Sequence, residues 1–158
     1  MAALIGPSGK PNEAKQHPGW IALGGVGVVL VVVGLVDLVL AWTPPRFGNA
    51  DWEFGTVTAM FNNLPVPAMG LGLAFASAAT RSAMGVTRAV GVVAAVLAIW
   101  CLVGAVLYGL TLPLALGTIT EPGPRQALVT SSVKTVVQIL LYSGFFLWLA
   151  RLSWKWER

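Results

Sequence analysis

Apolar runs of membrane-crossing length constrain this chain more than any other feature of its sequence. The first, Trp20 to Trp42, contains 23 residues rich in Val, Leu and Gly. Crossing about 30 Å of hydrocarbon takes roughly 20 apolar residues at about 1.5 Å each. The whole chain has 158 residues, of which 56% are hydrophobic and 10% charged. These values lie outside the soluble globular range and predict an integral membrane protein.

The predicted fold is an all-α, integral membrane four-helix bundle. A chain of this length can hold four spans and little else, so one transmembrane domain is expected over 20–152. Its predicted spans are about 20–42, 64–80, 88–112 and 127–152. A tail, 1–19, precedes them, and a short end, 153–158, follows. The sequence EPGP predicts a turn within 117–125.

The second span is the least regular part of the pattern. Residues 52–64, WEFGTVTAMFNNL, place apolar side chains at helical spacing with polar residues between them. This spacing is typical of an amphipathic helix lying at the membrane interface. Pro65 and Pro67 then interrupt the helix. We expect a Pro-kinked second span preceded by an interfacial amphipathic helix, and whether residues 51–64 continue into the membrane stays open.

Basic residues lie mainly on one side of the predicted spans. With a cytoplasmic N terminus, seven fall on the cytoplasmic side (Lys10, Lys15, Arg81, Arg88, Arg151, Lys155 and Arg158) and two on the other (Arg46 and Arg125). Cytoplasmic loops carry the excess of Lys and Arg, so both termini are predicted to be cytoplasmic. Tryptophans at the ends of the runs are predicted interfacial anchors: Trp20, Trp42, Trp52, Trp154 and Trp156.

Two ionisable residues, Asp37 and Lys134, lie inside predicted spans. A charge at the bilayer centre costs about 2.5 to 3.5 kcal/mol on insertion scales, which predicts a buried partner or a functional site. Both are expected at similar depth, on the order of 10 Å below the outer surface. One interpretation is structural, an intramembrane ion pair or a snorkelling Lys134. The other is an ion or proton site, also lined by Ser131, Ser132, Thr135 and Gln138.

Small residues recur at helical spacing in the first three spans. They are Gly24, Gly27 and Gly34 in the first, Gly70, Ala74 and Ala78 in the second, and Ala94 and Ala98 in the third. Ridges of this kind allow two helices to approach closely. The pattern predicts helix packing and leaves open whether the contact is internal or with another chain.

Groups able to perform chemistry are scarce. The single histidine, His17, lies in the tail, and the single cysteine, Cys101, lies in the middle of the third span. No metalloprotease, nucleophile-elbow or phosphate-loop motif occurs in the sequence. We therefore expect a protein that is not an enzyme, with no catalytic residue, no metal site and no cofactor of its own.

One stretch resembles a known family. Asp51 and Trp52 follow the first span, and the sequence LPVPAMGLGL of residues 64–73 then leads into the second. Over about residues 20 to 112 this arrangement resembles the membrane portion of the HpsJ-like proteins of cyanobacteria, which are linked to polysaccharide secretion. The resemblance implies no catalytic residue, and it implies a small accessory membrane protein.

The predicted function is that of a non-catalytic accessory or scaffold subunit within a larger membrane complex, such as a photosynthetic or respiratory one. Its expected partners are other membrane subunits and lipids, with possible contact to pigments held by other subunits, and no nucleic acid. The expected location is the bacterial inner membrane, crossed several times. The alternative is a small homo-oligomeric transporter or channel that uses Asp37 and Lys134, with a discontinuous helix at Pro65 to Pro67.

Overall fold

Helices form nearly all of the chain that the structure describes. A computed structural model describes residues 18–118 and 120–155, and within them it contains five α-helices and no strand. The helices are α1 (Pro18–Ala41), α2 (Ala50–Asn63), α3 (Pro65–Arg81), α4 (Met84–Thr118) and α5 (Pro122–Lys155). Of these, α1, α4 and α5 are long and apolar enough to cross a membrane, which is typical of a transmembrane protein. Most of the predicted N-terminal tail, 1–17, and residues 156–158 lie outside the described residues.

The helices pack side by side with alternating direction. α1 packs mainly on α3, α2 and α3 both pack on α4, and α4 packs along α5. Gly24 adjoins Ser77 and Gly34 adjoins Pro67, so α1 and α3 run antiparallel. α1 and α5 lie on different sides of the bundle, and they make almost no contact with each other.

The apolar face of α2 is buried in protein. Val57, Met60 and Phe61 have no exposed surface, and Leu64 is 1% exposed. The ends of the Met60 and Phe61 side chains lie against Gly104 of α4, where the missing side chain leaves room for them. The apolar face of α2 therefore packs on protein and is not free to face lipid. The position of α2 at the membrane interface stays a prediction.

A break at Leu64 separates α2 from α3. Leu64 keeps helical torsion angles, φ −59° and ψ −26°, and its carbonyl accepts a hydrogen bond from the Ala68 N–H at 3.1 Å. Pro65 and Pro67 have no N–H, so they cannot bond the preceding turn. α2 and α3 thus form one helical path with an interruption. α3 alone has 17 residues and a length of about 25 Å.

The helices that contain the third and fourth predicted spans extend beyond the predicted span bounds. α4 passes through Pro113 and ends at Thr118, beyond the predicted end at residue 112. Pro113 lies on an exposed face of α4. α5 begins at Pro122 instead of residue 127. Pro122 and Pro124 lie in its first turn, where N–H groups have no acceptor within the helix and proline is tolerated. Residues 122–125 of the stretch predicted to form a turn are therefore helical.

Candidate interaction surfaces

The closest helix contact is a glycine seam between α1 and α3, formed by Gly24, Gly27 and Gly34 of α1 with Gly70 and Ala74 of α3. A Cβ atom added at Gly27 would lie 2.7 Å from the Ala74 nitrogen and 2.7 Å from the Gly70 oxygen. One added at Gly70 would lie 2.6 Å from the Gly27 oxygen. These are contacts of backbone with backbone. The structure thus brings the small residues of the first two predicted spans together within one chain.

The remaining small residues of the predicted ridges are also buried. Ala78 continues the buried face of α3 beyond the glycine seam, with no exposed surface. Ala94 and Ala98 lie on α4, where they are at most 1% exposed and belong to the apolar core. Small side chains at these positions allow α4 to approach the helices around it.

Ser77 adds a hydrogen bond to the contact of α1 with α3. Its hydroxyl donates to the backbone carbonyl of Trp20 at 2.6 Å, and Ser77 has no exposed surface. The hydroxyl also occupies the space beside Gly24, where a Cβ atom would lie 2.6 Å from it. Sequence reasoning missed this residue. The available signal was a polar side chain between Ala74 and Ala78, within the small-residue ridge.

We expect Ser77→Ala to lower the free energy of unfolding by about 1 kcal/mol, because it removes a hydrogen bond between helices. Thr80→Ala is the matched control, since the Thr80 hydroxyl bonds only carbonyls of its own helix, those of Ala76 and Ser77. Unfolding of the purified protein by increasing SDS in mixed micelles measures both. Equal effects of the two substitutions would contradict a specific contribution from the bond between α1 and α3.

Aromatic side chains meet where α1 ends and α2 begins. The ring of Trp42 lies 6.0 Å from that of Trp52 and 6.0 Å from that of Trp100, edge to face in both pairs. Phe47 lies 5.6 Å from Trp52. The indole N–H of Trp42 is buried without a hydrogen-bond partner in the described part of the chain. Trp42 and Trp52 therefore pack on protein, and Trp100 joins them from α4.

The other predicted anchors are less uniform. Trp20 is half-buried where its carbonyl accepts the Ser77 hydrogen bond, whereas Trp154 at the end of α5 is 56% exposed. Trp156 lies outside the described residues. An exposed tryptophan at a helix end matches the position of an interfacial anchor.

The structure does not bring Asp37 and Lys134 together. Both side chains are exposed, and their helices, α1 and α5, make almost no contact. Neither side chain forms an ion pair or a hydrogen bond within the described residues. The predicted ion pair is therefore not present inside one chain.

The polar side chains near Lys134 mostly bond their own helix. The hydroxyls of Ser131 and Ser132 donate to the Leu128 carbonyl, and that of Thr135 donates to the Ser131 carbonyl. Gln138 differs, since its side-chain amide donates to the Asn62 side chain of α2 at 3.4 Å. A hydroxyl that donates to a carbonyl of its own helix needs no other hydrogen-bond partner in an apolar environment. No group of three or more His, Cys, Asp or Glu residues that could hold a metal ion occurs in the described part of the chain.

An apolar groove lies between α3 and α5. Its volume is about 570 Å³, and its walls include Met69 and Leu73 on α3 and Leu141, Tyr142 and Phe145 on α5. It is open along the side of the bundle. A groove of this composition is suited to hydrocarbon.

Comparison with known families identifies the chain. The profile of the HpsJ-like protein family matches residues 21–121, which is more than half of the chain. The chain belongs to the HpsJ-like family. The match covers the glycine seam, the aromatic cluster and Asp37 of this HpsJ-like protein, while all of α5, including Lys134, lies beyond it. The chain matches no curated protein and no solved structure.

Proposed function

We propose that this HpsJ-like protein is a non-catalytic accessory or scaffold subunit that packs in a larger membrane complex. The observation that carries the proposal is the one-sided packing of α1. Gly27, Gly34 and Leu38 are buried where α1 meets the rest of the chain, whereas the other sides of the helix are exposed. The exposed surface includes Asp37. Lipid can cover the surrounding valines, but a carboxylate facing hydrocarbon is costly unless a protein partner satisfies it.

The proposed topology has four spans, with α2 and α3 together forming a kinked second one. Three features support it. α2 is buried inside the bundle, and the path from Ala50 to Arg81 is helical except at Leu64. Gly91 adjoins Ser153, so the C-terminal end of α5 lies beside the N-terminal part of α4.

This arrangement collects basic residues at one end of the bundle: Arg81, Arg88, Arg151 and Lys155. We propose that this end is cytoplasmic, as both termini then are, and that the membrane is the bacterial inner membrane. The proposed partners are other membrane subunits and lipids. Pigments held by those subunits, in a photosynthetic or respiratory assembly, could contact the exposed helix faces and the groove between α3 and α5.

A pull-down from mildly solubilised membranes tests the proposal. The tagged full chain is purified from its native membrane, and the recovered proteins are identified by mass spectrometry and examined by absorption spectroscopy. We expect a constant set of other membrane subunits in fixed ratio to the tagged chain. A tagged membrane protein of similar size and number of spans, expressed at the same level, is the control and should not recover that set.

Recovery of the chain alone, as a homogeneous self-oligomer, would contradict the accessory role. It would favour the alternative of a small transporter. Because Asp37 and Lys134 face outward from one copy, a polar path that uses them would have to lie between copies. Flux of ions into vesicles containing the purified oligomer would then be the next measurement.

A further inference from the structure

The apolar groove between α3 and α5 is bridged at one end. Pro65 and Leu141 line the groove at the end that lies away from the basic residues. Asn62 precedes Pro65 by three residues, and Gln138 precedes Leu141 by three. The side-chain amide of Gln138 donates a hydrogen bond to the Asn62 side chain at 3.4 Å. This polar bridge crosses between the two sides of the groove and marks the end of its apolar walls.

Toward the basic end, the groove leads along exposed side chains. Met69 of its α3 wall is exposed, and so is Ala76, seven residues further along the same side of α3. On α5, Trp148 follows the wall residue Phe145 by three and is 58% exposed. Both helices run toward the basic end, where Arg81 ends α3 and Lys155 ends α5. The open side of the groove therefore continues to that end of the bundle.

Two basic side chains of α5 lie where the groove leads. Leu141, Trp148 and Lys155 are seven residues apart, about two turns each, so they follow one side of α5. Arg151 lies one turn before Lys155, and both are exposed. At about 1.5 Å per residue, Lys155 lies about 15 Å from Phe145 along the helix axis, half of a hydrocarbon core about 30 Å thick. An acyl chain of one leaflet spans that distance.

We propose that the groove binds an acyl chain of an anionic phospholipid from the leaflet at the basic end, and that Arg151 and Lys155 hold the phosphate of that lipid. The chain passes the apolar ring of Trp148 and ends between Met69 and Phe145. The walls of the groove, which are apolar side chains and backbone, are suited to hydrocarbon and need no polar group from the ligand.

Charge and direction select this occupant. An apolar groove alone fits any hydrocarbon, including a pigment or the helix of a partner. Two cations one turn apart favour an anionic headgroup, because each Lys or Arg near the membrane surface attracts anionic lipid. A lipid of the opposite leaflet would start near Lys134, and the bridge of Gln138 with Asn62 lies between that residue and the groove. The inference rests on the lipid partners of the proposed function, and it names the class and the site of one of them.

Native mass spectrometry of the purified full chain tests the headgroup contact. The protein in non-ionic detergent is incubated with equal amounts of phosphatidylglycerol and phosphatidylcholine that carry identical acyl chains, and the bound lipid is counted. We expect one phosphatidylglycerol per chain, retained at least about tenfold more than phosphatidylcholine. Equal retention of the two lipids, or retention of neither, would overturn the proposal.

Removing the two charges should remove the preference. Arg151→Gln combined with Lys155→Gln should reduce bound phosphatidylglycerol about tenfold. Arg125→Gln combined with Lys134→Gln is the matched control, since it also removes two exposed charges, but from the other end of α5. The control should change binding less than about twofold, because this attraction falls off within a Debye length. Equal losses in the two double variants would show that net charge alone attracts the lipid.

Filling the groove tests the position of the acyl chain. Gly72 lines the groove, and no atom lies within 4 Å of the position that its Cβ would occupy. Gly72→Trp thus occupies the groove without forcing the helices apart, and it should reduce bound phosphatidylglycerol about tenfold. Gly25→Trp, on an exposed side of α1 that is equally open, should leave binding unchanged. Unaltered binding by Gly72→Trp would place the lipid elsewhere. Size-exclusion chromatography verifies that each variant remains folded.

Failure of this site is distinguishable from failure of the scaffold role. Lipid binding is measured on the purified chain and needs no other subunit. Recovery of other subunits in the pull-down, without a preference for phosphatidylglycerol, would overturn the lipid site and retain the scaffold. A lipid preference that both tests confirm, in a chain that recovers no other subunit, would support the site and count against the scaffold.

Discussion

We expect Gly27→Ala and Gly70→Ala each to lower the free energy of unfolding by about 3 kcal/mol, since both force atoms into a closed space. The added Cβ atoms would lie 2.6 to 2.7 Å from backbone atoms of the facing helix. Backbone atoms cannot rotate away as a flexible side chain can, so α1 and α3 must separate along the glycine seam. Titration of the purified protein with SDS, followed by circular dichroism and tryptophan fluorescence, measures the loss.

Two glycines provide matched controls on the same helices. Gly25 and Gly72 have no atom within 4 Å of the position that a Cβ would occupy. Gly25→Ala and Gly72→Ala should leave stability unchanged or raise it slightly, since alanine is the better helix former by about 1 kcal/mol. A similar loss at all four positions would contradict the close contact at the seam as the cause of the loss.

Phe61→Ala should lower the free energy of unfolding by about 3 to 5 kcal/mol, the usual cost of truncating a buried phenylalanine. Phe61 lies on α2 with no exposed surface, against Gly104 of α4. If α2 lay on the membrane surface instead, the ring would leave one apolar environment for another and stability would hardly change. The same SDS titration distinguishes these outcomes.

A second substitution makes this test specific. A Cβ atom at Gly104 would lie 2.8 Å from the end of Met60 and 3.3 Å from the Phe61 ring, so Gly104→Ala alone should destabilise. With Phe61→Ala already present, part of that space is free, and the second change should cost less than it does alone. Additive effects would contradict direct contact between these positions. Gly55→Ala on the exposed side of α2, where no atom lies within 4 Å, should be neutral.

The hydropathy of the sequence located the long helices, but the prolines near the ends of α4 and α5 do not mark where those helices end. The run of Trp20 to Trp42 became α1, Pro18–Ala41, because an apolar stretch of this length has no other stable conformation in a bilayer. α4 and α5 extend beyond the predicted spans, α4 through Pro113 and α5 from Pro122. One lies on an exposed helix face and the other in a first helical turn, where the missing N–H costs little.

The packing surfaces were only partly predictable. The spacing of Gly27, Gly70 and Ala74 identified small-residue ridges in the sequence. The sequence did not show which ridges meet, because that depends on how whole helices pack. Ser77 was missed because its partner is a backbone carbonyl, which no sequence pattern marks. The pairing of Asp37 with Lys134 within one chain failed for a topological reason, since α3 and α4 lie between their helices.

By itself the sequence determined that this HpsJ-like protein is helical and that α1, α4 and α5 are long and apolar enough to cross a membrane. The reason is that in hydrocarbon every backbone polar group of a helical span must form its hydrogen bond within that span. That constraint acts locally and is visible in any window of about 20 residues. Only the tertiary structure decided that α2 is buried in the bundle, that α1 is held along a single seam, and that Asp37 faces outward. These outcomes depend on which helix faces fit one another, and that fit is a property of residues far apart in the chain.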